Sequence, residues 1–157
     1  MKRIAQFFKV SEKQFKESST ANYSDITLPA RATSGSAGYD FFTPESFTLG
    51  VGETIKIATG IRCKIENGWV LSIYPRSSLG FKYRLTLNNT VGIIDSDYYF
   101  AENEGHIFIK MTNCGNSPIE IEKGKAFAQG IFTEYGITVD DDQTALRTGG
   151  IGSTDKK

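Results

Sequence analysis

The chain has 157 residues, with 18 Lys and Arg against 18 Asp and Glu and a formal net charge of zero. A chain of this length can bury a core without disulfide staples, and one domain over residues 1–157 is expected. A neutral chain has no global positive field to gather nucleic acid by counterion release, so no nucleic-acid partner is expected.

Taken in chain order, "MKRIAQFFKVSEKQF" is basic, but its apolar run is too short and too often interrupted for a signal peptide or a membrane span. A cytoplasmic protein without membrane contact is expected. Residues 4–10 form a short apolar block, and Ser11 with Gln14 has the form of a capping box, which predicts one brief helix through Lys16. "KESSTANYSD" is a polar link. Beyond it come short runs rich in β-branched and aromatic residues, among them "GYDFF", "WVLSIY", "HIFIKM" and "FAQGIF", each punctuated by Gly, Pro, Asn or Ser. Alternation is strictest in "TIKIATGIRCKI". There Ile55, Ile57, Ile61, Cys63 and Ile65 can face a core while Lys56, Arg62 and Lys64 face water, a hairpin pattern with its turn near Gly60.

Many short strands separated by turn signals point to an antiparallel sandwich, jelly roll or barrel. "PRSSLGFKYRL" departs from alternation, and Ser77 and Ser78 before Leu79 and Phe81 can open a single helical turn with outward-facing amides. After Tyr135 periodicity stops. Residues 136–157, "GITVDDDQTALRTGGIGSTDKK", read as a flexible Gly-rich arm that orders, if at all, on a ligand or a neighbouring subunit. Cys63 and Cys114 stand far apart outside any C-x-x-C, and are expected as free buried thiols in a reducing compartment. The one histidine, His106, cannot build a histidine-rich metal site.

Several clusters carry chemistry, each with a plainer alternative. In "AGYDFF", Asp40 at the start of a strand is ordinarily a solvated edge or turn residue. In "PRSSLG", Arg76 with two hydroxyls makes a phosphate cradle or merely a turn with an exposed cation. In "VGIIDSDYYF", Asp95 and Asp97 would share one side of a strand and repel unless cations or donors intervene. Asp followed by Ser is also ordinary turn chemistry. Tyr98 beside them offers a flat face for a sugar or a base. Gln129 in "KGKAFAQGIF" is a polar residue among apolar neighbours, and "RTGGIGST" offers Gly-rich amides that can wrap phosphates or simply form a tail.

The order of these clusters is more specific than any one of them. "SAGYDFF", "PRSSLG", "NNTVGIIDSDY", "KGKAFAQGIF" and "RTGGIGST" resemble the five motifs of the trimeric dUTP pyrophosphatases, the dUTPases. The resemblance implies a jelly-roll-like all-β barrel with one or two short helical turns and a flexible C-terminal arm. It also implies a homotrimer with active sites shared between subunits, in which the arm closes over the nucleotide. The implied activity is Mg²⁺-dependent hydrolysis of dUTP to dUMP and pyrophosphate by water attack on the α-phosphorus, keeping uracil out of DNA and supplying dUMP.

By the same resemblance Asp95 is the base that activates water, and Asn89, Gly92 and Ile94 belong to a hairpin whose backbone reads uracil. Tyr98 stacks under the deoxyribose, where a ribose 2′-hydroxyl would clash. Arg76, Ser77, Ser78 and Gln129 contact phosphates, and Asp40 is linked to the metal through water. Arg147, Ile151, Gly152, Ser153 and Thr154 belong to the arm that clamps the terminal phosphates. Mg²⁺ keeps several waters and prefers nucleotide phosphates to an all-protein cage, so scattered Arg, Ser and amide donors with a single base suit the reaction.

The chain departs from the pattern in places. Phe100 stands where the family has Gly, followed by "AENEG", a short insert that surface loops tolerate. The insert resembles those of phage-type members, which would make this a phage or prophage enzyme; otherwise it is a harmless loop. Ile151 replaces an aromatic lid, and the arm motif is one residue shorter than usual. Two rival functions follow. One is a dCTP deaminase-like enzyme of the same fold, which would need a glutamate near the base where residues 92–98 supply Asp and Tyr. The other is a phage regulatory protein that binds a repressor through residues 99–105.

Overall fold

The computed structural model describes residues 1–147, 149 and 150. Apolar and polar side chains alternate along short segments, and this alternation makes strands that each bury one face. Among the described residues these are β1 (Ala5–Lys9), β2 (Ala30–Arg31), β3 (Tyr39–Phe42), β4 (Phe47–Leu49), β5 (Thr54–Ala58) and β6 (Ile61–Ile65). They continue as β7 (Trp69–Pro75), β8 (Leu85–Leu87), β9 (Gly92–Ile94), β10 (Phe108–Asn113), β11 (Ile119–Ile121) and β12 (Ala126–Glu134). The helices are short: α1 (Glu12–Lys16), α2 (Ser77–Tyr83) and two 3-10 turns, Tyr23–Asp25 and Ser96–Phe100.

Four antiparallel sheets result, β1-β6, β5-β10-β8, β4-β11 and the largest, β2-β3-β12-β7-β9. Their inward faces share a core in which Phe15, Phe41, Leu71, Ile109, Met111 and Phe127 are fully buried. This is the all-β, jelly-roll-like class that the strand pattern predicts.

Half of the capping box forms: Ser11 precedes α1 and its Oγ accepts from the Gln14 amide at 3.1 Å, but the Ser11 amide donates to Glu104 Oε2 and the Gln14 Nε2 donates to Glu17 Oε2 instead. Three local expectations need correction. First, β5 and β6 do not form a hairpin. β5 runs against β10, with Ile57 opposite Ile109, and β6 against β1, with Cys63 opposite Phe7. Gly60 between them has φ +71°, and a Cβ there would stand 2.4 Å from Ile26 Cδ1, so it forms a corner between sheets. Alternation reports which face a strand buries and is silent on its partner.

Second, the turn expected at Ser77 extends to the whole of α2, which ends at Arg84 in a left-handed conformation (φ 52°). Third, Cys63 is buried, and burial pushes its thiol pKa up to about 12, but Cys114 lies past the end of β10 and is exposed. After β12 the described residues contain no further strand or helix, and none of their helices is long and apolar enough to cross a membrane.

Candidate active site

Strand β9 lies against β7, with Gly92 opposite Ile73 and Ile94 opposite Leu71. A Cβ on Gly92 would stand 3.1 Å from the Ile73 Cβ, so glycine keeps the two strands close there. The turn leading into β9 has Thr90 at φ 61° and its amide donating to the Leu87 carbonyl at 3.1 Å. The strands on either side of that turn, β8 and β9, pair with β10 and β7. The expected base-reading hairpin is therefore a turn that joins two sheets, and a cavity of about 530 Å³ opens where they part. Asn89, Gly92, Ile94, Asp95, Tyr98 and Arg147 all line it.

Asp95 and Asp97 do not share a strand face. β9 stops at Ile94, and Asp95 is the residue before the 3-10 turn that carries Asp97 and Tyr98. Arg147 brings the carboxylates together. Its Nη2 donates to Asp95 Oδ2 at 2.9 Å and its Nε to Asp97 Oδ1 at 3.0 Å, while its guanidinium carbon lies 5.6 Å from the centre of the Tyr98 ring. One fixed cation forked between two acids offsets their mutual repulsion. Both carboxylates remain about half exposed, so the pairing orients more than it stabilises.

Tyr98 is buried, 5% exposed, and burial raises its phenol pKa. Its Oη donates to the His106 carbonyl at 2.8 Å and accepts from Asn103 Nδ2 at 2.9 Å. His106 is itself fully buried; its Nε2 accepts from the Gly60 amide at 2.9 Å, and burial drives its pKa down to about 4.

The insert is tied down rather than loose. Glu104 Oε2 and Oε1 accept from the Ser11 amide at 2.7 Å and the Ser11 hydroxyl at 2.6 Å, and these bonds hold its carboxyl below the usual range. Arg62 Nη2 donates to the Tyr99 carbonyl at 2.6 Å, with its guanidinium 3.8 Å from the centre of the Tyr99 ring. Sequence reasoning missed Asn103, Glu104, Arg62 and His106 as supports of this half of the site. The one available signal was Asn followed two residues later by Gly, a turn pattern that fixes an amide beside the aromatic pair.

The remaining motif residues gather elsewhere. Gln129 on β12 sits opposite Asp40 on β3 and Tyr74 on β7, so the three form one row across the large sheet. Gln129 Nε2 donates to the Pro75 carbonyl at 3.2 Å, and a Cβ on Gly38 would come within 2.8 Å of Gln129 Oε1. Arg76 Nε lies 3.2 Å from Asp40 Oδ1. Ser77, with Arg76 and Gln129, lines a second, open cavity, and Ser78 is exposed next to it.

No described residue lines both cavities. Ile73 borders the first and Tyr74 the second, and neighbours on a strand point to opposite faces of its sheet. The structure thus unites Asn89, Gly92, Ile94, Asp95, Tyr98 and Arg147 in one cluster and Asp40, Arg76, Ser77, Ser78 and Gln129 in another. Ile151, Gly152, Ser153 and Thr154 lie outside the described residues.

Comparison with known proteins bears on most of the chain. The dUTPase family profile matches residues 24–155. A deoxyuridine 5′-triphosphate nucleotidohydrolase of Lactococcus lactis is 42% identical over 132 residues, covering 82% of this chain and 88% of the relative. The crystal structure of a dUTPase from Streptococcus mutans superposes with a TM-score of 0.69 at 32% identity, over 84% of this chain and 97% of that one. A dUTPase of phage phi11 of S. aureus, whose structure reveals the coordination of a structural Mg(II) ion, shares the fold at 20% identity, with a TM-score of 0.67 over 90% of this chain and 97% of that one.

Proposed function

The chain belongs to the dUTPase family, and on that premise we propose that it hydrolyses dUTP to dUMP and pyrophosphate with Asp95 as the base. The observation that carries this reading is the first cavity, where Asp95 is the one carboxylate among the described lining residues and stands three positions from the buried Tyr98. Asp95 takes a proton from water as the water oxygen bonds to the α-phosphorus. The bond from that phosphorus to its bridging oxygen breaks, and pyrophosphate leaves. Tyr98 walls the deoxyribose and leaves no room for a 2′-hydroxyl. Arg76, Ser77, Ser78 and Gln129 receive the phosphates. The reaction removes dUTP before it enters DNA and supplies dUMP.

Mg²⁺ fits this donor set. The described residues contain no cluster of three or more His, Cys, Asp or Glu that could cage a metal, and Asp40 is already engaged by Arg76. A hard cation that keeps its waters and takes phosphate oxygens needs no cage, and the role assigned to Asp40 is a contact through one of those waters. When bound, the ion neutralises charge on the phosphates.

The separation of the two clusters supports a site completed between copies of the chain in a homotrimer. Apolar side chains are also exposed beside each cluster, Ile93 on β9 at the first cavity (57% accessible) and Phe81 on α2 at the second (94%), surfaces that another copy would cover. Arg147, on the segment leading to the Gly-rich motif, meets Asp95 and Asp97 here; its role at the phosphates belongs to the liganded state.

The test is chromatography of products after incubation with dUTP, dCTP, dTTP and UTP separately, with Mg²⁺ and with a chelator. dUMP and pyrophosphate from dUTP alone, suppressed by the chelator, are expected. Deamination of dCTP, or no turnover by the folded protein, would overturn the reading.

A further inference from the structure

Nothing in the five motifs assigns a role to the insert, yet its Asn103 side chain donates to the hydroxyl of Tyr98. We propose that Asn103 is a positioning residue for sugar discrimination, holding the Tyr98 ring as a rigid wall; this rests on Tyr98 being the deoxyribose wall.

The phenol has one proton, which it gives to the His106 carbonyl at 2.8 Å. Its lone pairs are buried and need a donor, and Asn103 Nδ2 supplies one at 2.9 Å. The other end of the same amide is committed as well: Asn103 Oδ1 accepts from the Gly105 amide at 3.2 Å, which fixes the nitrogen toward Tyr98.

The backbone around it is constrained. Glu104 and Gly105 have φ of 57° and 69°, and a Cβ on Gly105 would stand 2.6 Å from the Tyr98 carbonyl oxygen, so the insert folds tightly back on the turn that carries the ring. The bonds from Ser11 to Glu104 hold that turn from outside. On the arm side, a Cβ on Gly150 would meet Asn103 Nδ2 at 3.2 Å, so the chain also closes over the amide from there. A wall rejects a 2′-hydroxyl only as far as it refuses to swing, and two hydrogen bonds at the far end of the ring are what prevent the swing.

Asn103→Asp separates this role from that of an ordinary turn residue. It keeps the shape and the oxygen that accepts from Gly105 and removes the donor to Tyr98, so the single phenol proton can serve only one of the introduced carboxylate and the His106 carbonyl, and one of the two bonds on the ring is lost. The ratio of kcat/KM for dUTP over UTP should fall about three- to tenfold, the worth of one hydrogen bond, with little change in melting temperature. In a Tyr98→Phe background the same substitution should change the ratio no further.

An unchanged ratio in the folded Asn103→Asp protein, or an equal fall in the Tyr98→Phe background, would overturn the proposal. Should Asn103→Asp fail to fold, Tyr98→Phe alone must lower the ratio, and an unchanged ratio would overturn it. Tyr98→Ala serves as the control. If that variant keeps full selectivity, the wall reading itself falls; if it loses selectivity while Asn103→Asp does not, only the role of Asn103 falls.

Discussion

The cluster proposed to face base and sugar differs in construction from the cluster proposed to receive the phosphates. Around Asp95 and Tyr98 the chain supplies its own partners: Arg147 forks across two acids, and Asn103 and His106 fix the phenol from both sides. Around Gln129 and Arg76 there is a regular sheet row, one ion pair and two exposed serines. On the proposed reading the braced half discriminates, and discrimination needs groups that do not yield. On the same reading the open half neutralises phosphate charge, which a metal ion arriving with the nucleotide can complete.

That difference sets the size of each expected effect. Asp95→Asn keeps the volume and removes the base, so kcat should drop about 10²- to 10⁴-fold while dUTP still binds, read by pyrophosphate release and by nucleotide titration. Arg76→Ala removes a phosphate donor from the open half, so KM for dUTP should rise about ten- to hundredfold with the dUTP over UTP preference intact. A loss of that preference would mean that the halves are not separable.

Acid should strike the braced half. His106 is held neutral by burial, at about pKa 4, whereas the unfolded chain takes up a proton near pH 6.5. The unfolded state therefore binds more protons between those values. Stability is full above about pH 6.5 and falls by about 3 kcal/mol as pH drops toward 4, checked by thermal melts across that range. The smallest effect is at the insert's outer tie. Ser11→Ala removes both the cap of α1 and the hydroxyl that Glu104 accepts from, costing about 1–2 kcal/mol in urea denaturation with turnover nearly unchanged.

Sequence patterns carried much of this, unevenly. The N-cap at Ser11 and the inward set Ile57, Ile61, Cys63 and Ile65 were legible because each depends on neighbours in the chain. The pairing of β5 with β10 was not, because a strand's buried face is written in its own alternation while its partner depends on the whole fold. Motif order singled out Asp95, which lines the first cavity, although strand geometry misplaced it relative to Asp97. Asn103 and Glu104 read as a polar loop because their partners, Tyr98 Oη and Ser11, are set by tertiary folding; Glu104 is 93 positions from Ser11.

The most direct test of the two-halves arrangement is mixing. Asp95→Asn and Arg76→Ala proteins, each nearly inactive at low dUTP, are combined, allowed to exchange subunits, and assayed for pyrophosphate. If the halves of each site come from different copies, mixed assemblies contain sites with both residues intact, and activity should rise well above the sum of the two. Verified exchange with no gain would contradict that arrangement and place the whole site within one chain.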